Sequence, residues 1–390
     1  MTQLVRRLAG FDETIFATMT ALANERGAIN LGQGFPDSDG PASMLEEAQR
    51  QIAGGNNQYA PGRGFPVLRE AIAADRKRTY GQEFDPQSEV LVTVGATEAL
   101  TAAILALVEP GQEVIVLEPY FDSYEAAVAL ADAVMVPVAL EPHEGRFRVD
   151  EDLLRDAISS KTRMIVMNTP HNPTGTMFDD RDLSIISRLA VDHDLLVLSD
   201  EVYEKLPFDG RTHTPIAMLP GMRQRTITVS SAAKCFNATG WKTGWALAQP
   251  ELIDAIVVAK QYLSFVGVSP LQPAVAKALN EEAEWTAELA VQLQKNRDAL
   301  SQALRECGFG VCASEGGYYV VADTAPLGFE DAREFCLGPL LDAGVVGIPV
   351  SAFAKSAHAD RFRSLVRFAF CKDQDVMQEG IRRLQAAFAG

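Results

Sequence analysis

Lys234 follows an apolar, strand-like run and sits in a turn rich in serine, alanine and glycine, within SSAAKCFNATGWKTGW (residues 230–245). Small residues leave room for a ligand. A lysine desolvated there has a lowered pKa and can attack a carbonyl to form an imine. An isolated lysine is ordinarily a solvated charge, but Phe236 and Trp241 speak for burial here. Ser231 and Lys242 flank it and could together bind an anion, although each alone reads as a turn hydroxyl and a surface charge.

Five other strings carry residues of complementary chemistry. In LSDEVYE (198–204) Asp200 ends an apolar strand, where a buried carboxylate needs a partner. A protonated ring nitrogen would serve, and Tyr203 could donate to a phenolate oxygen. Taken singly, Asp200 reads equally as a helix N-cap and Tyr203 as a packing residue. In NTPHNPTG (168–175) Asn172 stands among turn-forming residues that fix its amide, with an ordinary Asx turn as the plainer reading. TVGATEAL (93–100) is a strand, a glycine turn and a helix start. The backbone N–H groups near Gly95, Ala96 and Thr97 suit a phosphate, though most such helix starts bind nothing. In LEPYFDSYEA (117–126) Phe121 follows a strand end and could lie on a flat ring, or simply pack in the core. In LVRFAFCK (365–372) Arg367 is a lone cation in an apolar run, matched by a substrate carboxylate or by a structural ion pair.

One ligand satisfies five of the six strings, and its amino-acid substrate would supply the carboxylate for Arg367. It has an aldehyde for Lys234, a pyridinium for Asp200, and a phenolate for Tyr203 and Asn172. It has a phosphate for Thr97, Ser231 and Lys242, and a flat ring for Phe121. That ligand is pyridoxal 5′-phosphate.

These residues have to be placed by a common frame. The apolar runs VLVTV, EVIVLEP, RMIVMNTP, LLVLSDEVY and TITVSSAAK alternate with helical stretches through the middle of the chain. Near-continuous apolar strands between helices predict an α/β fold with a central, mostly parallel sheet covered on both faces. Ligands of such sheets lie beyond the carboxyl ends of the strands, which is where the informative residues of the middle of the chain fall. The tail differs: a polar helix over 281–307 and the strand-like LVRFAFC predict a smaller α+β unit. The expected division is an N-terminal segment, 1–45, packing with the small unit, then a large ligand-binding domain, 46–280, and the small domain, 281–390.

Composition narrows the role further. The chain has 390 residues, 47% of them hydrophobic, with 35 basic and 52 acidic side chains and a formal charge of −17. That acidity disfavours nucleic acid as a partner while leaving room for a small anion in a local basic site. No apolar run is long enough for a membrane helix. The N-terminus meets Asp12 and Glu13 before any long apolar stretch, so it makes a poor signal peptide. Five cysteines without CxxC spacing and five histidines without a ligand motif predict free thiols in the cytoplasm and no metal site.

With these strings on the page, the sequence resembles the fold-type I aminotransferases of class I/II. The matching strings run from LGQGFPD (31–37) through NQYAPGRGFPVLREAIA (57–73) to LVRFAFCK. Within the family they resemble the kynurenine–glutamine and methionine aminotransferase branch, and above all the N-succinyldiaminopimelate aminotransferases of actinobacteria. The resemblance implies that Lys234 forms the imine and carries protons, that Asp200 pairs with the ring nitrogen, and that Asn172 and Tyr203 hold the ring oxygen. It implies Phe121 stacked on the ring and Ala96, Thr97, Ser231 and Lys242 on the phosphate. Lys242 stands where many relatives have Arg. By the same resemblance Tyr59 reaches the phosphate of a neighbouring subunit, so the enzyme is a homodimer with shared sites. Gly34 and Arg367 hold the substrate carboxylate, and Phe16 lies over it.

The activity implied is transfer of an amino group between an amino acid and a 2-oxo acid, with 2-oxoglutarate and glutamate as the expected exchange pair, in lysine biosynthesis. The alternative is a methionine, kynurenine or glutamine aminotransferase with cysteine-conjugate β-lyase activity. A regulator that merely binds the cofactor fits less well, since no DNA-binding segment is left over. A succinylated diamine brings extra carboxylates, for which Arg6, Arg7, Arg63 and Lys260 are the available cations.

Overall fold

The computed structural model describes residues 5–11, 15–355 and 357–389; Asp12 and Glu13 lie outside them. Its centre is an eight-stranded sheet. In spatial order the strands are Val90–Val94, Thr243–Leu247, Thr226–Ser231, Leu196–Asp200, Thr162–Asn168, Glu113–Glu118, Val134–His143 and Arg146–Val149. The run from Thr226–Ser231 to Val134–His143 is parallel throughout. Thr243–Leu247 is antiparallel to both of its neighbours, so the sheet is mostly rather than wholly parallel.

Successive residues along a strand point to opposite faces, and here both faces are buried. Val114, Val116, Met164, Val166, Leu196 and Leu198 enter one core with the helices Gly95–Leu107 and Pro250–Leu263. Ile115, Leu117, Ile165, Met167 and Val197 enter another with the helix Asp180–Asp192. Two apolar faces on each strand explain why the sequence shows unbroken apolar runs instead of alternation.

A second, four-stranded antiparallel sheet consists of Gly310–Val311, Tyr319–Asp323, Leu365–Ala369 and Ile348–Pro349. The long helix Ala283–Glu306 and the closing helix Gln374–Phe388 share its core. Ile29–Asn30 pairs in parallel with Val345–Val346, which brings the early segment against this second sheet. The carboxyl ends of the parallel strands face it across a cleft. No helix among the described residues is long and apolar enough to cross a membrane. All five cysteines are free.

Candidate active site

At the carboxyl ends of the central strands a cavity of about 260 Å³ opens, lined by Gly95, Ala96, Thr97, Phe121, Asn172, Asp200, Tyr203, Ser231, Lys234 and Lys242 among others. Ten residues named from sequence therefore meet in one place, drawn from six separate strand ends. A second cavity of about 200 Å³ adjoins it and shares Phe121, Asn172 and Tyr319. Phe16, Gly34 and Arg367 line this outer space. Tyr59 enters neither: it is 79% exposed and packs edge-on against Phe265.

Asp200 is the last residue of its strand and is buried. Desolvation raises its carboxyl to about 6, against the bond it accepts from the Tyr124 hydroxyl at 2.7 Å. No arginine or lysine pairs with it among the described residues. A buried carboxylate held this way suits a cationic donor such as a ring nitrogen. The residues that follow Asp200 and Tyr203 are anchored by ion pairs. Glu201 and Glu204 both pair with the Arg76 guanidinium, at 3.0 Å for Glu201. His213 Nε2 lies 3.1 Å from Glu201, and Ser230 donates to Glu204 at 2.7 Å. The three potential metal ligands Glu201, Glu204 and His213 converge there. The Arg76 guanidinium already neutralises the two carboxylates, so the cluster reads as an ion-paired support for the turn.

The anion end combines backbone and side chains. Gly95 opens the helix Gly95–Leu107 with φ +74°. Gly244 packs so close that a Cβ on it would lie 2.6 Å from the Ala96 nitrogen, so only glycine lets the antiparallel strand approach this helix start. Lys242 Nζ stands 3.2 Å from where a Gly95 Cβ would be. Ser231 caps the short helix Ala232–Cys235 without using its side chain on it, which leaves the hydroxyl to the cavity. Two hydrogen-bonding side chains, one of them cationic, and the N-terminus of a thirteen-residue helix match a phosphate dianion.

Lys234 Nζ rests on the Gly34 carbonyl at 3.0 Å, and the Lys234 carbonyl accepts from the Tyr318 hydroxyl at 2.7 Å. Asn172 Oδ1 accepts from Arg367 Nη1 at 2.9 Å, which assigns its amide and leaves Nδ2 to the inner cavity. Arg367 also donates to the Gly32 carbonyl at 2.6 Å. Its guanidinium is stacked among the rings of Tyr319, Phe353 and Phe16, at 4.0, 4.5 and 5.4 Å from their centroids. It is 2% exposed, its Nε has no partner, and burial lowers its pKa. A buried cation beside an open cavity has chemistry that suits a carboxylate. The donor set thus fits pyridoxal phosphate group by group, with a carboxylate receptor beside it.

Tyr124 and Tyr319 were not singled out from sequence, although Tyr124 lies in the string LEPYFDSYEA. Tyr124 stands one helical turn after Phe121, a spacing that could have flagged it. Tyr319 has no local signal; its partners lie far away in the chain. Of the four cations considered for distal carboxylates, Arg63 pairs with Asp254 and Lys260 donates to the Phe265 carbonyl at 2.7 Å. Neither lines the two cavities. Arg6 and Arg7 lie in an exposed turn, Arg6–Leu8, that packs on the helix Ser123–Leu130.

An α/β frame that gathers a lysine, a buried acid, a helix N-terminus and a buried arginine at the strand ends suits an amino-group-transferring class of enzyme. The chain belongs to the class I and II aminotransferases, whose family profile it matches over residues 26–384. It is 52% identical, over 97% of both chains, to a probable N-succinyldiaminopimelate aminotransferase of Mycobacterium tuberculosis. The solved structure of N-succinyldiaminopimelate aminotransferase from that organism superposes with a TM-score of 0.96, covering 98% of this chain and 100% of the other. The methionine aminotransferase of Escherichia coli is 39% identical over 97% of both chains. A kynurenine–oxoglutarate transaminase of Mus musculus is 36% identical over 95% of this chain and 87% of its own. The chain is an aminotransferase acting on amino acids and oxo acids.

Proposed function

We propose that this aminotransferase is a pyridoxal 5′-phosphate enzyme of the cytoplasm that acts as a homodimer on N-succinyl-L,L-diaminopimelate, with glutamate and 2-oxoglutarate as the exchange pair. One observation carries the reading: Lys234, Asp200 and the phosphate cradle share a single cavity that opens directly onto the Arg367 carboxylate receptor. The substrate assignment draws on the relative at 52% identity.

The bound cofactor supplies an aldehyde that exchanges amines and a cationic ring that accepts an electron pair from the substrate α-carbon. Ser231 Oγ, Lys242 Nζ and the N–H groups of Ala96 and Thr97 hold its phosphate. Asp200 keeps a proton on the ring nitrogen, and the Tyr124 hydroxyl orients the carboxylate for that task. Tyr203 and Asn172 Nδ2 donate to the ring oxygen, and Phe121 covers the ring face. Arg367 and the Gly34 backbone hold the substrate carboxylate. Lys234 Nζ takes the proton from the α-carbon and returns it one carbon away, on the cofactor side. Phe16 closes the outer cavity over the substrate.

A second copy of the chain completes the phosphate end in this reading. Tyr59 is exposed, and Tyr262, Leu263, Phe265 and Val268 expose further apolar surface. Such a patch suits an interface that carries Tyr59 into the partner's site. One observation favours the alternative donors: the outer cavity is walled by Phe16, Phe35, Phe121 and Tyr319, with Arg367 its one lining cation among the described residues. Methionine or kynurenine would be accepted there without further charges, and β-lyase activity on cysteine conjugates would use the same α-proton transfer.

The test is a half-reaction screen. The holoenzyme is mixed with each amino donor and the rate of loss of the cofactor's absorbance band is compared. A preference of at least tenfold, about 1.4 kcal/mol, for the succinylated diamine over methionine, glutamine and kynurenine is expected. A preference for any of those three would transfer the assignment to the second reading.

A further inference from the structure

Lys234 is held at both ends by one side chain, that of Tyr318. Lys234 lies in the short helix Ala232–Cys235, which is too brief to satisfy its own last carbonyls. The Ala232 carbonyl accepts from the Phe236 N–H at 3.1 Å, and the Ala233 carbonyl from the Ala238 N–H at 3.2 Å. The Lys234 carbonyl accepts instead from the Tyr318 hydroxyl at 2.7 Å, a residue 84 positions away. The hydroxyl has a single proton, and Asn237 Oδ1, at 3.3 Å, is the more distant acceptor. At the far end of the lysine, Nζ stands 5.2 Å from the Tyr318 ring centroid and 5.6 Å from that of Tyr203. An ammonium group is attracted to such ring faces. The two rings meet edge to face, with centroids 5.4 Å apart.

Tyr318 is itself fixed. It is fully buried, its carbonyl accepts from the Phe370 N–H at 2.9 Å, and the Gly317 N–H before it donates to the Leu206 carbonyl at 2.9 Å. It precedes the strand Tyr319–Asp323 of the small sheet and lines neither cavity. Its influence on a bound molecule therefore passes through the neighbours it touches. We propose that Tyr318 is the positioning residue of Lys234: its hydroxyl fixes the lysine backbone, and its ring seats the amine. The inference rests on the functional reading above, in which Lys234 Nζ condenses with the cofactor aldehyde, releasing one water, and later carries a proton. Both tasks need the amine in one place.

The experiment compares the full-length wild type with Tyr318→Phe, which keeps the ring, and Tyr318→Leu, which keeps neither ring nor hydroxyl. Each protein is titrated with pyridoxal phosphate and with pyridoxamine phosphate, which has an amine in place of the aldehyde and forms no bond to Lys234. Tyr318→Phe is expected to weaken pyridoxal phosphate roughly 3- to 10-fold relative to pyridoxamine phosphate, the worth of one hydrogen bond. Tyr318→Leu is expected to widen that ratio further. The half-reaction with saturating glutamate should slow about tenfold in Tyr318→Phe, with the half-saturating concentration unchanged. Equal weakening of the two cofactor forms, or of neither, overturns the assignment. So does a raised half-saturating concentration with an unchanged maximal rate. A leucine variant with the same ratio as the phenylalanine variant overturns the ring's part. Should only one variant fold, its ratio decides. A wild type that takes up neither cofactor form overturns the functional reading, and the positioning role with it; a wild type that binds both beside variants of unchanged ratio overturns the positioning role alone.

Discussion

Arg367 Nη1 donates to Asn172 Oδ1 at 2.9 Å, and the two residues are 195 positions apart in the chain. That bond joins a strand of the small sheet to the loop at the end of a central strand. In the proposed reading, a substrate carboxylate on one side of Arg367 would be linked, through one amide, to a cofactor ring oxygen on the other. Asn172 has no freedom to rotate, since its Oδ1 is taken by Arg367 and its backbone N–H donates to Asn168 Oδ1 at 2.6 Å.

Arg367→Lys should raise KM for amino donors and oxo acids about tenfold or more, with a smaller change in kcat. Lysine retains the charge but loses the fork, the bond to Asn172 and the stack on Tyr319. Steady-state kinetics with a donor and 2-oxoglutarate would show it; an unchanged KM for both would remove Arg367 from carboxylate binding.

Lys234→Ala should slow the half-reaction by at least about 10²- to 10⁴-fold, the usual worth of a positioned proton carrier. Stopped-flow mixing of the purified, cofactor-loaded variant with a donor measures this directly. Borohydride reduction of the wild type, followed by peptide mass mapping, should place the pyridoxyl tag on the peptide containing Lys234. A tag elsewhere would reassign the reactive amine.

Asp200 predicts a pH dependence of stability in the cofactor-free protein. Its carboxyl titrates near 6 when folded, against an ordinary value of 3.8. Between those values the folded chain keeps a proton that the unfolded chain has lost. Its contribution to stability is therefore complete below the unfolded value and disappears as pH rises through the folded one. Asp200→Asn should abolish this component, worth up to about 3 kcal/mol. Urea unfolding of both proteins from about pH 4 to 7 would reveal it. Parallel curves across that range would contradict the cause.

Arg76→Met should destabilise the fold by roughly 3–5 kcal/mol, because Glu201 and Glu204 would remain buried without their shared cation. Carboxylates stranded in that way hold their protons to higher pH, so the deficit should narrow as pH falls. A deficit that grows toward acid pH would mean that Arg76 does not neutralise these carboxylates.

Gly34→Ala should weaken substrate carboxylate binding, since the added methyl group overlaps the Tyr319 hydroxyl and displaces the ring that supports Arg367. Maleate titration of the holoenzyme checks it. An affinity equal to wild type would show that the loop absorbs the methyl group without disturbing the receptor.

Much of the frame was legible because its causes are local. The strand Val90–Val94, the glycine turn and the helix Gly95–Leu107 follow one another in sequence as they do in space. Apolar runs with a polar or glycine break at their ends announced both the sheet and the level at which Asp200, Ser231 and Lys234 emerge. The antiparallel course of Thr243–Leu247 was not legible. An apolar strand reads alike in either direction; what the structure adds is that Gly244 allows it close contact with the start of the Gly95–Leu107 helix.

The residue types along this chain determined which chemical groups were present and which of them stood at strand ends: an amine, an acid, an amide, a phenol, a hydroxyl and a guanidinium. Only the tertiary structure decided that Tyr124 orients Asp200, that Arg76 neutralises the turn beneath it, and that Tyr319 lies between Arg367, Gly34 and Tyr203. The reason is physical. Hydrophobic periodicity and turn chemistry act over a few residues and are written into neighbouring positions. Contacts between side chains far apart in the chain exist only once packing has brought their elements together.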